Sequence, residues 1–336
     1  MRIDSGISGN LATAAAEAVA LEQKGYDGVS TAETSHDPFL PLFAAGQATE
    51  RVELMTSIAV AFARNPMITA VTANDLQFAS NGRFVLGLGS QIKPHIEKRF
   101  SMNWSGKPAS QMREFILAMR AIWGAWNDRT KLEFRGDYYT HTLMTPFFDP
   151  GPNPFGPPKV FLAGVGAGMT EVAGETCDGF LAHPFTTERY LREVTLPALE
   201  RGMERTGNSR DGFQIGMTAL VVSGDTEEQT LAAKNTIVSQ IGFYGSTPAY
   251  RGVLELHGWG ELQTELNSMS KRGAWADMAT VIGDDVINAF AVVAEPSKAA
   301  EAIRARYGDV ANRMGLYFGL APEVTDRIAS DLRSGN

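Results

Sequence analysis

Phe161-Leu-Ala-Gly-Val-Gly-Ala-Gly-Met-Thr170 runs from a short apolar stretch into Gly164, Gly166 and Gly168 and then into a helical pattern. Glycines let a backbone approach an anion closely, and the free N–H groups and dipole at a helix start favour negative charge. The stretch therefore reads either as a cradle for a cofactor phosphate or as tight packing at a plain turn. Both readings share one consequence: a strand that leads directly into a helix.

Outward from this junction the same unit recurs. Ile3 to Ser8 reads as a strand, and Leu11 to Lys24, rich in Ala and stopped by Gly25, as its helix. Further strands are expected at Gly28–Ala32, Glu53–Val60, Arg83–Gly89, Lys159–Gly164, Gly179–His183, Phe213–Val222 and Arg313–Phe318, with helical pattern between most neighbours. Eight such strands predict a parallel sheet with right-handed crossovers, and closing it gives an α/β fold of the (β/α)8 TIM-barrel type. An open doubly wound sheet is the alternative.

The chain, residues 1–336, reads as one barrel domain with two insertion segments. Residues 90–107 form a polar and aromatic excursion before a helix whose apolar face is Met112, Phe115, Ile116, Met119, Trp123 and Trp126, a core pattern. Residues 241–283 carry helical pieces, Pro248–His257 and Gly260–Lys271, that no standard strand–helix unit requires. Insertions at the C-terminal face of a barrel usually shape its site. The Pro-rich run from Pro146 to Pro158 reads as a rigid surface loop, because the strand after it is needed to complete the barrel.

Composition narrows the partners. With 44% hydrophobic and 20% charged residues the chain is ordinary for a globular protein, and 30 Lys+Arg against 38 Asp+Glu leave a net charge of −8. That balance argues against nucleic acid or an acidic membrane surface as the main partner. The start lacks the apolar stretch of a signal peptide and no run approaches a bilayer span, so a cytoplasmic location is expected. Cys177 is the only cysteine, which excludes an intramolecular disulfide and a zinc cluster and reads as a small buried hydrophobe.

In a barrel, chemistry belongs to the residues just past the C-terminal end of each strand. Those ends here carry Glu33, Thr34, Ser35 and His36 after the second strand, and Phe62, Arg64, Asn65 and Pro66 after the third. The fourth ends in Gly87-Leu-Gly-Ser-Gln91, the fifth in the glycine stretch and the sixth at His183-Pro-Phe. Imidazole is the side chain most readily poised as acid or base near neutral pH, so His36 is the candidate catalytic group. His183 is open between a site role and a structural hydrogen bond. His95, His141 and His257 lack such placement. Gly164-x-Gly166-x-Gly168 departs from the dinucleotide fingerprint, and no nucleophile elbow, phosphate-loop Gly-Lys-Ser/Thr or paired histidines at metal spacing are present. No metal is expected.

Lys24-Gly-Tyr-Asp-Gly-Val29, Arg64-Asn-Pro66, Gly82-Arg-Phe-Val-Leu-Gly-Leu-Gly89, Phe134-Arg-Gly-Asp-Tyr-Tyr139, Pro157-Pro-Lys-Val160 and Cys177-Asp-Gly-Phe180 follow one another in an order and spacing that resembles the bacterial luciferase-like superfamily, in particular its coenzyme F420-dependent oxidoreductase branch. The resemblance runs over nearly the whole chain and implies a (β/α)8 barrel with insertions. It implies that an isoalloxazine-like ring lies over a bulge at the end of the third strand, often containing a non-proline cis peptide, here Ser57–Ile58. By the same resemblance Gly89, Ser90 and Gln91 contact the cofactor tail, and Gly164, Val165, Gly166, Ala167, Gly168 and Met169 form the phosphate-binding turn. His36 matches the histidine beside the reactive carbon.

The implied activity is hydride transfer between the deazaflavin C5 and a small organic substrate, with His36 moving the proton on the substrate oxygen. Phe39, Phe62, Trp104 and His183 are candidate pocket walls from their strand-end or insertion positions. The basic residues that bind a sugar phosphate in some members have no match here, which favours an alcohol, ketone or activated alkene. Two alternatives stand beside this reading: an FMN-dependent monooxygenase using reduced flavin and O2 from a separate reductase, and a cofactor carrier without turnover. A homodimer and a separate F420 or flavin reductase are the expected protein partners.

Overall fold

The computed structural model describes residues 1–335; Asn336 lies outside them. Eight parallel strands form a closed barrel: β1 (Arg2–Gly6), β2 (Gly28–Thr31), β3 (Glu53–Thr56), β4 (Phe84–Gly89), β5 (Lys159–Gly164), β6 (Gly179–Ala182), β7 (Gln214–Val222) and β8 (Arg313–Leu316). Each pairs with its successor, and β8 pairs with β1, setting Arg2 beside Arg313 and Asp4 beside Gly315. The open-sheet alternative is thereby excluded.

Three features depart from the sequence reading. The expected third strand, Glu53–Val60, breaks after Thr56 and resumes only as Ala59–Val60, which pairs with Leu88 and Gly89 of β4. A ninth parallel strand, Ala291–Val293, pairs with Leu220–Val222 of β7, and its three apolar residues are too few to show a period. The second insertion also lies later than 241–283. Helix Glu227–Gly245 continues through Ile241, and the extra elements run from Pro248 through Arg251–Glu255 and Gly260–Lys271 to Asp284–Phe290.

Most of the core lies between the barrel and its helices, with Trp123 and Trp126 of helix Pro108–Asn127 buried as their spacing predicts. A second cluster, including Phe185, Ile237, Leu254, Leu266 and Phe290, packs the late insertion against β7. Inside the barrel the two halves differ. Met55, Val85, Phe161 and Leu181 fill one half with apolar side chains. Charge fills the other: Arg313, 1% exposed, donates from Nε and Nη2 to Asp4 Oδ2 and Oδ1 at 2.8 and 2.7 Å, and from Nη1 to Gln214 Oε1 at 3.0 Å and to Glu53 Oε2. Gly28 gives this cluster its room, since a Cβ there would lie 2.5 Å from Asp4 Oδ1 and 2.8 Å from Arg313 Nη2.

A buried arginine of this kind is strongly destabilising to remove, because its carboxylates stay buried and unpaired. Arg313→Met is expected to lower unfolding free energy by about 3–5 kcal/mol in urea titration. Burial works against ionisation of Glu53, yet the charge and hydrogen bond of Arg313, with those of Arg2, hold its carboxyl below the usual range. A depressed carboxylate pKa stabilises the fold above the unfolded value, about 4.3, and that share is lost as pH falls through the folded value. Below about pH 4, therefore, Glu53→Gln should lose stability less steeply than the parent on acidification.

Candidate active site

The break in β3 forms a bulge on the C-terminal rim, and the Ser57–Ile58 peptide within it is cis. Its neighbours fix it from three sides. Ser57 N donates to Thr31 O at 2.7 Å, and Glu33 N donates to Ile58 O at 3.1 Å. Val60 N donates to Glu33 Oε2 at 2.7 Å, and Arg64 Nη1 reaches the same oxygen at 2.6 Å. From β4, Gly87 N donates to Thr56 Oγ1 at 2.9 Å, which donates on to Gly87 O at 2.7 Å. A Cβ at Gly87 would sit 1.9 Å from Thr56 O, and one at Gly89 would sit 2.8 Å from Ile58 Cδ1. The Gly87-Leu-Gly89 pattern is therefore required by the close approach of the bulge. Ser57 itself is exposed at the rim.

His36 sits in the bend after β2, exposed, and forms no hydrogen bond or ion pair among the described residues. What positions it is steric: a Cβ at Gly9, in the loop after β1, would lie 2.8 Å from His36 Cβ and 2.9 Å from Cδ2. The 90–107 excursion folds over the same part of the rim. Arg99 Nη2 donates to Thr34 O, and Trp104 meets Phe62 edge to face with centroids 6.0 Å apart. Ser90 Oγ donates to Gln91 O at 3.1 Å, and Gln91 takes a left-handed φ of 60° where the chain leaves β4. Phe39 lies elsewhere: it is 6% exposed, tilted against Phe84 and covered by the Arg64 guanidinium, so it belongs to the core.

After β5, Gly166 precedes helix Ala167–Thr176, whose start no side chain caps. Packing explains one of the three glycines. A Cβ at Gly164 would meet Met169 Cγ at 3.1 Å, whereas at Gly166 it would meet nothing within 4 Å and at Gly168 only Ala109 Cβ at 3.7 Å. Open backbone with unpaired N–H groups at a helix start is the arrangement that accepts an anion. Lys107 stands two residues before Ala109, and the 90–107 excursion carries Lys93, Lys98, Arg99 and Lys107 against Glu97 alone.

His183, just past β6, turns its Nδ1 to accept from Phe185 N at 3.0 Å, and its ring lies 4.7 Å from those of both Tyr244 and Tyr250. Burial pushes its pKa down to about 4, which keeps it neutral. The tyrosines were not among the sequence candidates; aromatic residues in an insertion, and Tyr317-Phe318 at the end of the last strand, were the available signal. Cys177 is buried and its thiol is pushed up to about 12 by desolvation, so it is no nucleophile. His257 is structural, with Nε2 2.9 Å from Thr187 Oγ1 and its ring stacked on Trp259. No group of three or more His, Cys, Asp or Glu suited to a metal occurs among the described residues.

The motifs that carried the family resemblance are largely structural devices. Asn65 accepts from Ile68 N at 2.9 Å and caps helix Pro66–Ala79, and Asp178 accepts from Val160 N at 2.8 Å. Gly136 faces Glu114, which gathers the N–H groups of Asp137, Tyr138 and Tyr139. Such devices recur only where the same backbone recurs, and the sequence profile of the luciferase-like monooxygenase family matches residues 2–313. The chain belongs to this family. An uncharacterized protein of Mycobacterium tuberculosis is 51% identical over 334 residues, 99% of this chain and 98% of that one. A putative coenzyme F420-dependent oxidoreductase of the same species is 28% identical over 290 residues, 82% of each chain. Among solved structures, the coenzyme F420-dependent tetrahydromethanopterin reductase of Methanopyrus kandleri superposes with a TM-score of 0.79 at 18% identity, covering 99% of this chain and 98% of that one.

The bulge makes a sharp test of the rim possible. Gly87→Ala is expected to destabilise the fold by about 2–4 kcal/mol, because Thr56 O is backbone and cannot turn aside. Thermal unfolding that matches the parent would show that β4 does not press on the bulge.

Proposed function

We propose that this luciferase-like protein is a coenzyme F420-dependent oxidoreductase acting on an alcohol, ketone or activated alkene. The observation that carries the reading is the uncapped, sterically open helix start at Gly166 and Gly168 on the same rim as the β3 bulge. The residues present fit the cofactor. Ser57, Ile58 and Gly89 offer a flat rim for its ring, the turn from Gly164 to Met169 offers N–H groups to its phosphate, and Ser90 and Gln91 lie where its tail would leave. The excess of Lys and Arg in 90–107 suits a longer anionic tail better than the single phosphate of FMN.

When bound, a deazaflavin supplies a two-electron hydride carrier that reacts poorly with oxygen. The chain supplies position and proton. His36 stands free at the rim, held by Gly9 and not by a hydrogen bond, so both ring nitrogens remain available to give or take a proton on the substrate oxygen. Trp104, packed edge to face on Phe62, lines that part of the rim. No described helix is long and apolar enough to cross a membrane.

The partner this reading favours is a second copy of the chain. Helices Leu40–Ala48 and Pro66–Ala79 pack side by side and carry one charged residue between them, Asp75, whereas Pro322–Ser334 carries five. Leu40, Phe43, Ile68, Val71 and Phe78 on these helices face solvent, and Phe147 and Phe148 adjoin Val71 and Asp75. With Phe147 91% exposed and the others between 42% and 70%, the patch exposes on the order of 800 Å² at ~150–250 Å² per large side chain, the share each partner gives to a standard interface.

Titration with F420 and FMN should show tighter F420 binding, and preferential FMN binding with oxygen-dependent reoxidation would move the protein to the monooxygenase. Gly166→Glu, which has space for its side chain, should weaken F420 binding about tenfold or more without lowering Tm. His36→Ala should cost about a hundredfold or more in turnover with cofactor affinity little changed. Light scattering should give about twice the 36.3 kDa chain mass, and Val71→Asp should give the monomer.

A further inference from the structure

The β6–β8 arc of the rim faces the β2–β4 arc across the barrel and has a different chemistry. The β7–β8 ladder continues one residue past Leu316, with Tyr317 N donating to Ala219 O at 2.9 Å, so Tyr317 follows Arg313 and Gly315 on the inward line of β8. Helix Glu227–Gly245 brings in Tyr244, and the turn after it brings in Tyr250. The hydroxyls of Tyr244 and Tyr317 lie 3.0 Å apart, and His183 rests against Tyr244 and Tyr250. All four side chains keep partial exposure.

We propose that Tyr244 and Tyr317 form a hydroxyl dyad that binds an uncharged oxygen acceptor of the substrate, a carbonyl or hydroxyl oxygen, while its apolar body packs against His183 and Tyr250. This deepens the oxidoreductase reading and rests on it for the reaction, though not for the binding. Two phenols bring two protons, and the shared hydrogen bond uses one. Tyr317 has no side-chain hydrogen-bond partner among the described residues other than Tyr244. A hydroxyl already engaged with a second one is polarised, so the remaining O–H is a better donor than a lone phenol.

The same wall disfavours an anion. Burial raises the pKa of Tyr244 and Tyr317 and pushes Tyr250 up to about 12, so the tyrosines stay neutral beside a neutral His183. No Lys or Arg side chain forms a hydrogen bond or ion pair with these four among the described residues; Arg251, the nearest in sequence, is engaged by Glu255, Gln263 and Thr264. A carboxylate or phosphate here would lose water without gaining a cation. The wall thus selects an uncharged ketone, enone or alcohol with a cyclic or extended apolar body.

A purely structural latch, tying helix Glu227–Gly245 to β8, predicts something different. Its loss would lower Tm and leave the ligand's electronic state alone. The discriminating probe is dimethylaminobenzalacetone, a push–pull enone whose absorption moves to the red as its carbonyl accepts a stronger hydrogen bond. With the full-length protein the bound probe should be red-shifted. Tyr317→Phe and Tyr244→Phe should each reduce the shift and weaken probe binding about tenfold, with Tm unchanged and F420 affinity within about twofold of the parent. Dimethylaminocinnamate, its anionic counterpart, should bind the parent at least about tenfold more weakly. The proposal is overturned by an unchanged shift in the Tyr244→Phe/Tyr317→Phe double variant, by a fall in Tm with no spectral change, or by absence of saturable probe binding to the parent. Loss of F420 binding alongside a tyrosine-dependent shift would instead overturn the cofactor reading and leave the dyad standing.

Discussion

The barrel depends on one buried charge. Arg313 at the start of the last strand holds Asp4 of the first in a two-pronged hydrogen bond and reaches Glu53 of β3 and Gln214 of β7, so a single guanidinium joins the two ends of the sheet and spans its floor. A planar, permanently charged fork suits this task where an ammonium would not. The cluster also sets the sizes of its neighbours. Gly28 stays bare because Asp4 and Arg313 occupy the space of its Cβ. Above the floor the inward positions turn small, with Gly216 and Gly315 on β7 and β8 and Gly87 and Gly89 on β4. On β4 the space that side chains would take is filled by the bulge itself, by Thr56 O at Gly87 and by Ile58 at Gly89.

The rim spends most of its charge on structure. Glu33 and Arg64 stand at strand ends, where sequence reasoning looks for chemistry, yet their ion pair at 2.6 Å is committed to holding the bulge. Side chains with fixed partners of this kind are poor acids, bases or substrate clamps. The groups without a protein partner on the rim are few, among them His36 and the N–H groups after Gly166, while the Tyr317 hydroxyl is held only by that of Tyr244. This division explains why the site carries little charge even though the strand ends are rich in polar residues.

Period and punctuation made the barrel legible. Short apolar runs separated by helical pattern gave all eight barrel strands to within a few residues, since buried parallel strands must be apolar on both faces. The bulge was invisible to that logic because Met55 to Val60 reads as one strand-like run; it was expected only through the family resemblance. The late insertion was mis-bounded because helix Glu227–Gly245 runs on without a break at Ile241. Phe39 was misleading for a related reason: a position just past a strand end does not specify direction, and here the ring turns down onto Phe84. Tyr244 and Tyr317, seventy-three residues apart in sequence, meet only through tertiary packing.

The two arcs of the rim differ in chemistry and would impose opposite demands on a ligand. One arc offers an exposed imidazole, an open helix start and a neighbouring excess of cations, which would favour an anionic group beside β4 and β5. The other offers neutral phenols and a half-buried, neutral histidine, which would reward an uncharged apolar body and penalise charge. A cofactor that is anionic at one end and aromatic at the other would satisfy both if its charged tail met the open helix start and its ring met the uncharged side of the mouth. On the proposed reading a substrate would then lie between that ring and the aromatic arc, on the side of the mouth that carries His36. On that reading, polarity across the mouth, more than any single contact, would set the orientation of cofactor and substrate.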